Sequence, residues 1–459
     1  MQPAAIVSPQ YKEIAGWKIA TPRQSEPKGE WWTVFRDPEL DRLERVVAVS
    51  NQTVLADEAN YREALALINE ARAGLFPTIN GTASAVHSSP PKQGSSAITT
   101  LTAEGSGLWT LDVWGQVRRE IEAQAAGAEA SAANLANATL AAQSALALAY
   151  VTMREADSAE DLYARTISDY NKSLKIAQNQ YAAGTAAKSD VITAEAQVLN
   201  AQASYIGAGV ARAQSEHAIA VLMGRPPAGL SIRHGALSTR VPPIPVQLPS
   251  SLLERRPDVA AAEETMREAN AEIGVAFAGY FPAISLSGLY GYSGDPWLGQ
   301  LNSLNPVWSF GTSLAQPLFN GGLTGAQVEA ARETYQSDVA TYRQTVLTAI
   351  QQVEDNLAGI RILSSEVKVQ VENVRISRQA TQIALNEYRA GTQAFTAVVV
   401  AEAQQLSAEQ ALLATQAQIQ TDAVNLIVAL GGGWSQTKLP DAVAESAATF
   451  PAPPLPVAN

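Results

Sequence analysis

The spacing of hydrophobic and polar residues changes period several times along this chain, and then the whole succession repeats. After an irregular, Pro-rich stretch over 1–36 that ends in Trp31-Trp32, Asp37-Pro38-Glu39 reads as a helix start. Asp caps, Pro sits in the first turn and Glu complements the dipole. The helical pattern continues to about Ala73, with a break near Ser50-Asn51, and Gly74-Leu75-Phe76-Pro77 stops it. From Thr78 the period falls to two. Ile79, Gly81, Ala83 and Ala85 alternate with more polar residues, and Ser89–Ser96 is a turn-rich loop. A second strand follows over Leu101–Trp114, with Trp109, Leu111 and Val113 facing away from Thr110 and Asp112. This predicts a β-hairpin over 78–114.

From Gln116 to about Tyr181 there is no Pro and a single Gly, Gly127, in a run rich in Ala, Gln, Glu and Leu. One helix of roughly 65 residues would be about 100 Å long. Tyr181-Ala182-Ala183-Gly184-Thr185 turns the chain into a returning helix, Ser189 to Met223, capped by Ser189-Asp190 and ended by Gly224-Arg225-Pro226-Pro227. Gly184 fits the left-handed position that closes a helix. Residues 37–223 thus form a first repeat with its hairpin tip near 184, and 224–257 a Pro-rich connector in which Ser251–Glu254 reads as a capping box.

The plan then recurs over 258–434. Glu58–Ile79 aligns on Glu263–Ile284, Gly74-Leu75-Phe76-Pro77 on Gly279-Tyr280-Phe281-Pro282, and Ala194-Glu195-Ala196-Gln197 on Ala401-Glu402-Ala403-Gln404. A second β-hairpin falls over 283–319, with Ile284, Leu286, Gly288, Tyr290 and Tyr292 alternating on one strand and Trp308, Phe310, Thr312 and Leu314 on the next. A second long helix runs from about Thr324 to Tyr388, and Tyr388-Arg389-Ala390-Gly391-Thr392 turns it at a tip near 391. The returning helix ends at Gly431-Gly432-Gly433, and 435–459 is a polar, Pro-rich tail expected to lack order. An internal duplication over most of the chain is the strongest fold signal.

The formal charge of −12 argues against nucleic acid as a partner, and the absence of Cys excludes disulfides and thiolate metal sites. No window approaches the ~18 consecutive apolar residues of a membrane-spanning helix. Mean hydropathy near zero fits a soluble protein and equally a β-barrel, whose strands alternate. Met1–Ala5 carries neither a charged nor an apolar signal region. The two hairpins offer four strands, too few to close a barrel in lipid, where an open edge leaves backbone groups unsatisfied. Strands in a membrane would therefore require several copies sharing one barrel. Two hairpins packed as a small sandwich on a helical rod remain the alternative, and the Ala-rich helices also fit a rigid coiled-coil spacer.

Together, the duplicated Tyr-x-Ala-Gly-Thr turn, the Ala-Glu-Ala-Gln helices, the Gly-x-Phe-Pro strand starts and Leu252-Leu253-Glu254-Arg255-Arg256-Pro257-Asp258-Val259 resemble the outer-membrane factor (TolC-like) family over about 37–434. The Arg-Arg-Pro-Asp segment is similar to the subgroup serving resistance-nodulation-division efflux pumps. The resemblance implies a mainly α fold with a β-barrel portion. It is internally duplicated, with long α-hairpins forming a periplasmic α-barrel. Four strands per chain would join a shared twelve-stranded outer-membrane β-barrel in a homotrimer, with the connector in an equatorial belt. It implies a passive exit duct for drugs or metal ions in a tripartite pump, set in outer-membrane lipid and reaching into the periplasm of a Gram-negative bacterium. Its partners would be a periplasmic adaptor and an inner-membrane transporter. A type I protein-secretion duct or a non-conducting envelope coiled coil are the competing readings. The subgroup often begins with an acylated Cys before a Gly-Pro-Asp-Tyr-like segment; Val7-Ser8-Pro9-Gln10-Tyr11 is similar to that segment, without the Cys.

Carried over residue by residue, the resemblance puts adaptor docking at Gly184, Thr185, Gly391 and Thr392, and a periplasmic gate at Tyr181, Asp190, Tyr388 and Arg389. Many members place an acid just inside the second tip. Here that stretch reads Thr396-Ala397-Val398-Val399-Val400, which leaves a hydrophobic constriction or a ring of Asp190 alone as the alternatives, with Glu195 and Glu402 as acidic candidates further along the tunnel. His87, His217 and His234 lack metal-ligand spacing, and neither a phosphate-binding loop nor a nucleophile elbow is present. The expectation is therefore no catalytic centre, no cofactor and no metal.

Overall fold

The computed structural model describes residues 11–13, 30–88, 97–242, 244, 255–294, 305–434 and 439–449. The expected loop at Ser89–Ser96, the capping box at Ser251–Glu254 and most of the Val7–Tyr11 segment lie outside them. In chain order come α1 (Pro38–Ser50), α2 (Gln52–Ala73), β1 (Thr78–Ser88), β2 (Ile98–Leu111), α3 (Gln116–Ala182) and α4 (Lys188–Leu222). The second series is α5 (Pro257–Ala278), β3 (Ala283–Gly294), β4 (Asn305–Ala315), α6 (Leu323–Arg389), α7 (Phe395–Ala429) and α8 (Ala442–Thr449). Both long helices have 67 residues and both returning helices 35. Among the described residues no helix is long and apolar enough to cross a membrane.

Contacts divide the chain into two compact units, each drawing on both repeats. The first combines Met1–Glu58, Ala133–Ala260 and Gln344–Lys438. Its core packs Trp31, Trp32, Leu43 and Val47 against Leu146 and Met153 of α3, Ile219 of α4, Leu357 of α6 and Leu426 of α7. Glu44 is fully buried in this unit with neither carboxylate oxygen hydrogen-bonded among the described residues. Burial pushes its carboxyl up to about 9, which keeps it neutral.

Two matching clasps hold the returning helices. Asn51, in the break between α1 and α2, caps α2 through Thr53 N–H (3.0 Å) and Val54 N–H (3.2 Å). It also donates from Nδ2 to the Leu222 carbonyl ending α4 (2.8 Å). Its counterpart in the second repeat is Arg256, which donates from Nη1 to the Ala429 carbonyl ending α7 (3.2 Å) and to Gln352 (2.8 Å), while Asp258 receives its Nε (2.9 Å). The Arg-Arg-Pro-Asp motif is therefore a helix clasp that also starts α5. Each clasped helix ends in a Schellman turn, through Gly224 (φ 67°) and Gly431 (φ 93°). A Cβ added there would meet the Ser50 carbonyl oxygen at 2.1 Å or the Arg255 carbonyl oxygen at 2.0 Å.

The connector is fastened to α3 and α4 around a buried carboxylate. Asp157, fully buried, takes Arg154 (2.8 Å), Arg212 (2.7 Å) and His234 (3.2 Å), and the Gly235 N–H (3.0 Å).

The second unit combines Ala59–Ala132, Ala261–Arg343 and Leu439–Asn459. Its four strands form one antiparallel sheet in the order β1-β2-β3-β4. The two hairpins join edge to edge through β2 and β3, which removes the sandwich alternative. Pairing aligns Ile79 with Gly107, Gly107 with Gly288 and Gly288 with Phe310. The alternation of the pleat then gathers Ile79, Leu101, Trp109, Leu286, Tyr290, Tyr292, Trp308, Phe310 and Leu314 on one face. Asn80, Thr82, Ser84, Thr102, Glu104, Ser106, Ser285, Ser287, Ser309 and Ser313 share the other. Phe310, Trp308 and Ile79 are solvent-exposed. Eleven residues span ~36 Å along a strand, or ~27 Å in height at a barrel-like tilt of ~40°, the scale of a bilayer's apolar band.

Three sequence expectations change. The second strand begins at Ile98 and ends at Leu111, because pairing with β1 and β3 sets its limits. Ser189-Asp190 does not cap α4: the cap residue is Ala187, with no side-chain hydrogen bond, and Asp190 lies in the first turn as an acid that complements the helix dipole. The tail expected to lack order contains α8, which docks on α2. Tyr61 donates to Glu445 (2.8 Å), Asn69 to the Ser446 carbonyl (3.1 Å) and Arg72 to the Val443 carbonyl (2.8 Å).

The clasps yield a graded test. Gly431→Ala combines left-handed strain with a backbone clash and should cost roughly 3 kcal/mol. Gly184→Ala, with open space around it, should cost about 1 kcal/mol of strain. Thermal unfolding of the detergent-solubilised variants checks the order; equal losses would remove the clasp as the cause.

Candidate functional site

Both hairpin tips end their long helices in the same Schellman turn, because Gly supplies the positive φ that closes it. Gly184 (φ 76°) donates to the Tyr181 carbonyl (2.9 Å), and Thr185 N–H to the Gln180 carbonyl (2.9 Å). Gly391 (φ 71°) donates to the Tyr388 carbonyl (3.0 Å), and Thr392 N–H to the Glu387 carbonyl (3.0 Å). The Thr hydroxyls donate to those same Gln180 and Glu387 carbonyls, at 3.0 and 3.1 Å. Nothing lies within 4 Å of a Cβ at either Gly, and both turns are exposed. The four docking candidates therefore present smooth, accessible knuckles with their polar groups turned inward.

The gate candidates do not share one environment. Tyr388 is buried, its ring 5.0 Å from that of Phe395, and it packs with Ala177, Ala194 and Val398 from both hairpins. Its hydroxyl donates to Asp190 Oδ2 (3.4 Å), and burial, reinforced by that carboxylate, pushes the phenol up to about 12. Tyr181, its repeat counterpart, is exposed. The difference follows from sequence: Phe395 covers Tyr388, and the matching position in the first repeat is Lys188. Arg389 is exposed, with Asn386 Oδ1 at 3.5 Å, and complements the C-terminal dipole of α6.

Asp190 is thus tied to Tyr388, and Gln180, which the sequence reading passed over, donates across the hairpins to the Tyr388 carbonyl (2.9 Å). A polar residue inside a helix gives no such signal by itself. Phe395 could have been found, as a departure between the two repeats.

The acidic candidates also part company. Glu195 is exposed. Glu402 is buried and accepts a hydrogen bond from Ser173 Oγ on α3, so it links the second hairpin to the first. Burial pushes its carboxyl up to about 7, against the lowering effect of that bond, with the charge of Asp169 adding to the rise. One grouping among the described residues is spaced like a ligand set, Asp157, Glu160 and His234. The Asp157 oxygens are already engaged by Arg154 and Arg212.

Comparison with known proteins adds the family. The family model described as "Outer membrane efflux protein" matches residues 45–225 and 248–432. The chain is 31% identical over 413 residues to the probable efflux pump outer membrane protein TtgC of Pseudomonas putida, spanning 88% of this chain and 85% of that one. It is 30% identical over 411 residues to the solvent efflux pump outer membrane protein SrpC of Pseudomonas putida, spanning 87% of each. Among solved structures, the outer-membrane channel OprN superposes with a TM-score of 0.84 at 27% identity, over 95% of this chain and 98% of that one.

The Glu402 contact predicts a pH response. A carboxyl raised from 4.5 to about 7 in the folded state contributes stability that is complete below the unfolded value and lost as pH rises through about 7. Thermal stability should therefore gain more between pH 8 and pH 5 in the parent than in Glu402→Gln, by up to about 3 kcal/mol. Parallel curves would remove Glu402 as the titrating group.

Proposed function

The chain belongs to the outer membrane efflux protein family and is an outer-membrane efflux channel reaching into the periplasm; from that premise we propose that three copies share one twelve-stranded barrel and work as a passive exit duct. The observation that carries the proposal is the sheet. One face is apolar, the other polar, and β1 and β4 each leave an edge without a partner among the described residues. In hydrocarbon those edges must be paired. Three copies of four strands make an even-stranded barrel of ordinary size, with the apolar face to lipid and the Ser- and Thr-rich face to a water-filled lumen.

The long hairpins then continue the conduit. The exposed knuckles at Gly184-Thr185 and Gly391-Thr392 receive a periplasmic adaptor, and the packed cluster of Tyr388, Phe395 and Asp190 holds the tips together at rest. Opening separates the hairpins at that cluster, and solutes then move by diffusion. An inner-membrane transporter supplies the drive. The duct acts on small molecules, the class to which the solvents named for SrpC belong. It carries out no chemistry of its own.

Single-particle electron microscopy of the detergent-solubilised protein tests the assembly. The expected particle has three-fold symmetry and a lumen running the ~100 Å of the long helices; a particle without a lumen would overturn the duct. For the tips, Gly391→Trp and Gly184→Trp should abolish efflux of a fluorescent dye from cells while three-fold particles still form. Normal efflux from both variants would move the docking site elsewhere.

A further inference from the structure

We propose that β4 pairs with β1 of the next copy in the register already set inside the chain between β2 and β3, and that Leu318 and Phe319 latch the helix-side end of this seam against the next copy's Ile79 and Phe76. The inference rests on the shared-barrel reading above.

The duplication fixes which residues correspond. Ile79 and Phe76 are counterparts of Ile284 and Phe281, as the aligned Gly-x-Phe-Pro starts require. After the strand loops, α3 begins at Gln116 and α6 at Leu323 with equal lengths, so Leu318 is the counterpart of Leu111 and Leu314 of Gly107. Two hydrogen bonds agree with this count. Trp109 Nε1 donates to the Leu75 carbonyl (2.9 Å), and its counterpart Gln316 donates from Nε2 to the Tyr280 carbonyl (3.1 Å), the counterpart of Leu75. The hairpin registers agree as well: Ile79 pairs with Gly107, and Ile284 with Leu314.

Inside the chain, β2 meets β3 with Leu111 beside Ile284 and Gly107 beside Gly288. Carried to the seam between copies, the same register sets Leu318 beside the next copy's Ile79, and Leu314 beside its Ala83. The exposures fit a seam closed once and left open once. Leu111 and Ile284 are half-buried, whereas Leu318 is 94% and Ile79 78% exposed. Phe281 stacks on Trp114 at 4.9 Å and is 39% exposed, whereas Phe76 is 69% exposed.

Trp114 corresponds to Gly321 and so has no ring at the second site. Phe319, two residues earlier and 92% exposed, supplies one. The strand limits point the same way. β2 runs three residues past its last pairing with β1 because β3 holds it, while β4, with no outer neighbour among the described residues, stops at Ala315. Lipid would also cover two apolar side chains, but it would not explain why their counterparts are paired.

The chain has no Cys, so introduced pairs report cleanly. Leu314→Cys with Ala83→Cys places two thiols directly opposite across the seam, within reach of a disulfide. Mild oxidation of outer-membrane fractions should give a reducible ladder ending at trimer, with far less from Leu314→Cys with Gly81→Cys. A stronger ladder from the second pair, or none from either while micrographs show three-fold particles, would overturn the register and leave the shared barrel standing. Particles without three-fold symmetry would overturn both.

The latch has its own readout. Phe319→Ser and Phe76→Ser should each lower the temperature at which trimers dissociate in detergent, and the double variant should lower it little further. Additive losses, or no loss from Phe319→Ser, would assign these side chains to lipid instead.

Discussion

A strand edge cannot be left in hydrocarbon with its backbone groups unpaired, and most of this chain's architecture follows from that. Four strands in the order β1-β2-β3-β4 satisfy each other internally and leave two edges. Among the described residues the strands carry no Lys, Arg, Asp or Glu on their apolar face, a usual means of blunting an edge. Instead the chain keeps a continuous apolar face, a Ser- and Thr-rich opposite face, and uncovered Leu318 and Phe319 beside the outer edge. These features are costly in an isolated soluble protein, and the proposed shared barrel accounts for them with lipid on one side, water on the other and a further strand along each edge.

The helical part solves a different problem with the same duplication. Helices of 67 and 35 residues, Ala-rich and without a strict heptad, gain little from their own sequence pattern and must be fixed at their ends. Asn51 and Arg256 do this at matching positions, each reaching the last carbonyls of a returning helix while starting the helix that leads to the sheet. One amide and one guanidinium perform the same task because the task is geometric: a donor must reach an orphan carbonyl at a helix end. Arg256 adds charge, and Asp258 at the start of α5 neutralises it. The motif that the sequence offers as a family signature is thus a joint between repeats.

Much of the fold was legible because it was written in period and punctuation. The change from 3.6 to 2 at Thr78 and Ala283, the Gly stops and the long Pro-free runs located the helices and strands to within a few residues. The capping of α4 was misread because Ser189-Asp190 has the right composition two residues too late; the chain enters the helix at Ala187 without side-chain help. The order in 442–449 was hidden because α8 is only 8 residues long and is held by Tyr61, Asn69 and Arg72, which lie far away in sequence. Sheet register was hidden for the same reason. Alternation shows which residues share a face of one strand, whereas the alignment of Gly107 with Gly288 is a tertiary fact.

The tips show where a duplication stops being symmetric. Each pair of counterparts, Tyr181 with Tyr388 and Glu195 with Glu402, has one exposed member and one buried member. The buried member lies each time in the second repeat, against α3 of the first: Glu402 on Ser173, and Tyr388 near Ala177 with its carbonyl held by Gln180. Within one chain the second hairpin therefore packs these side chains against the first, while Tyr181 and Glu195 at the corresponding positions of the first stay exposed. Divergence has followed burial, since Phe395 fills the covered site where the uncovered one keeps Lys188.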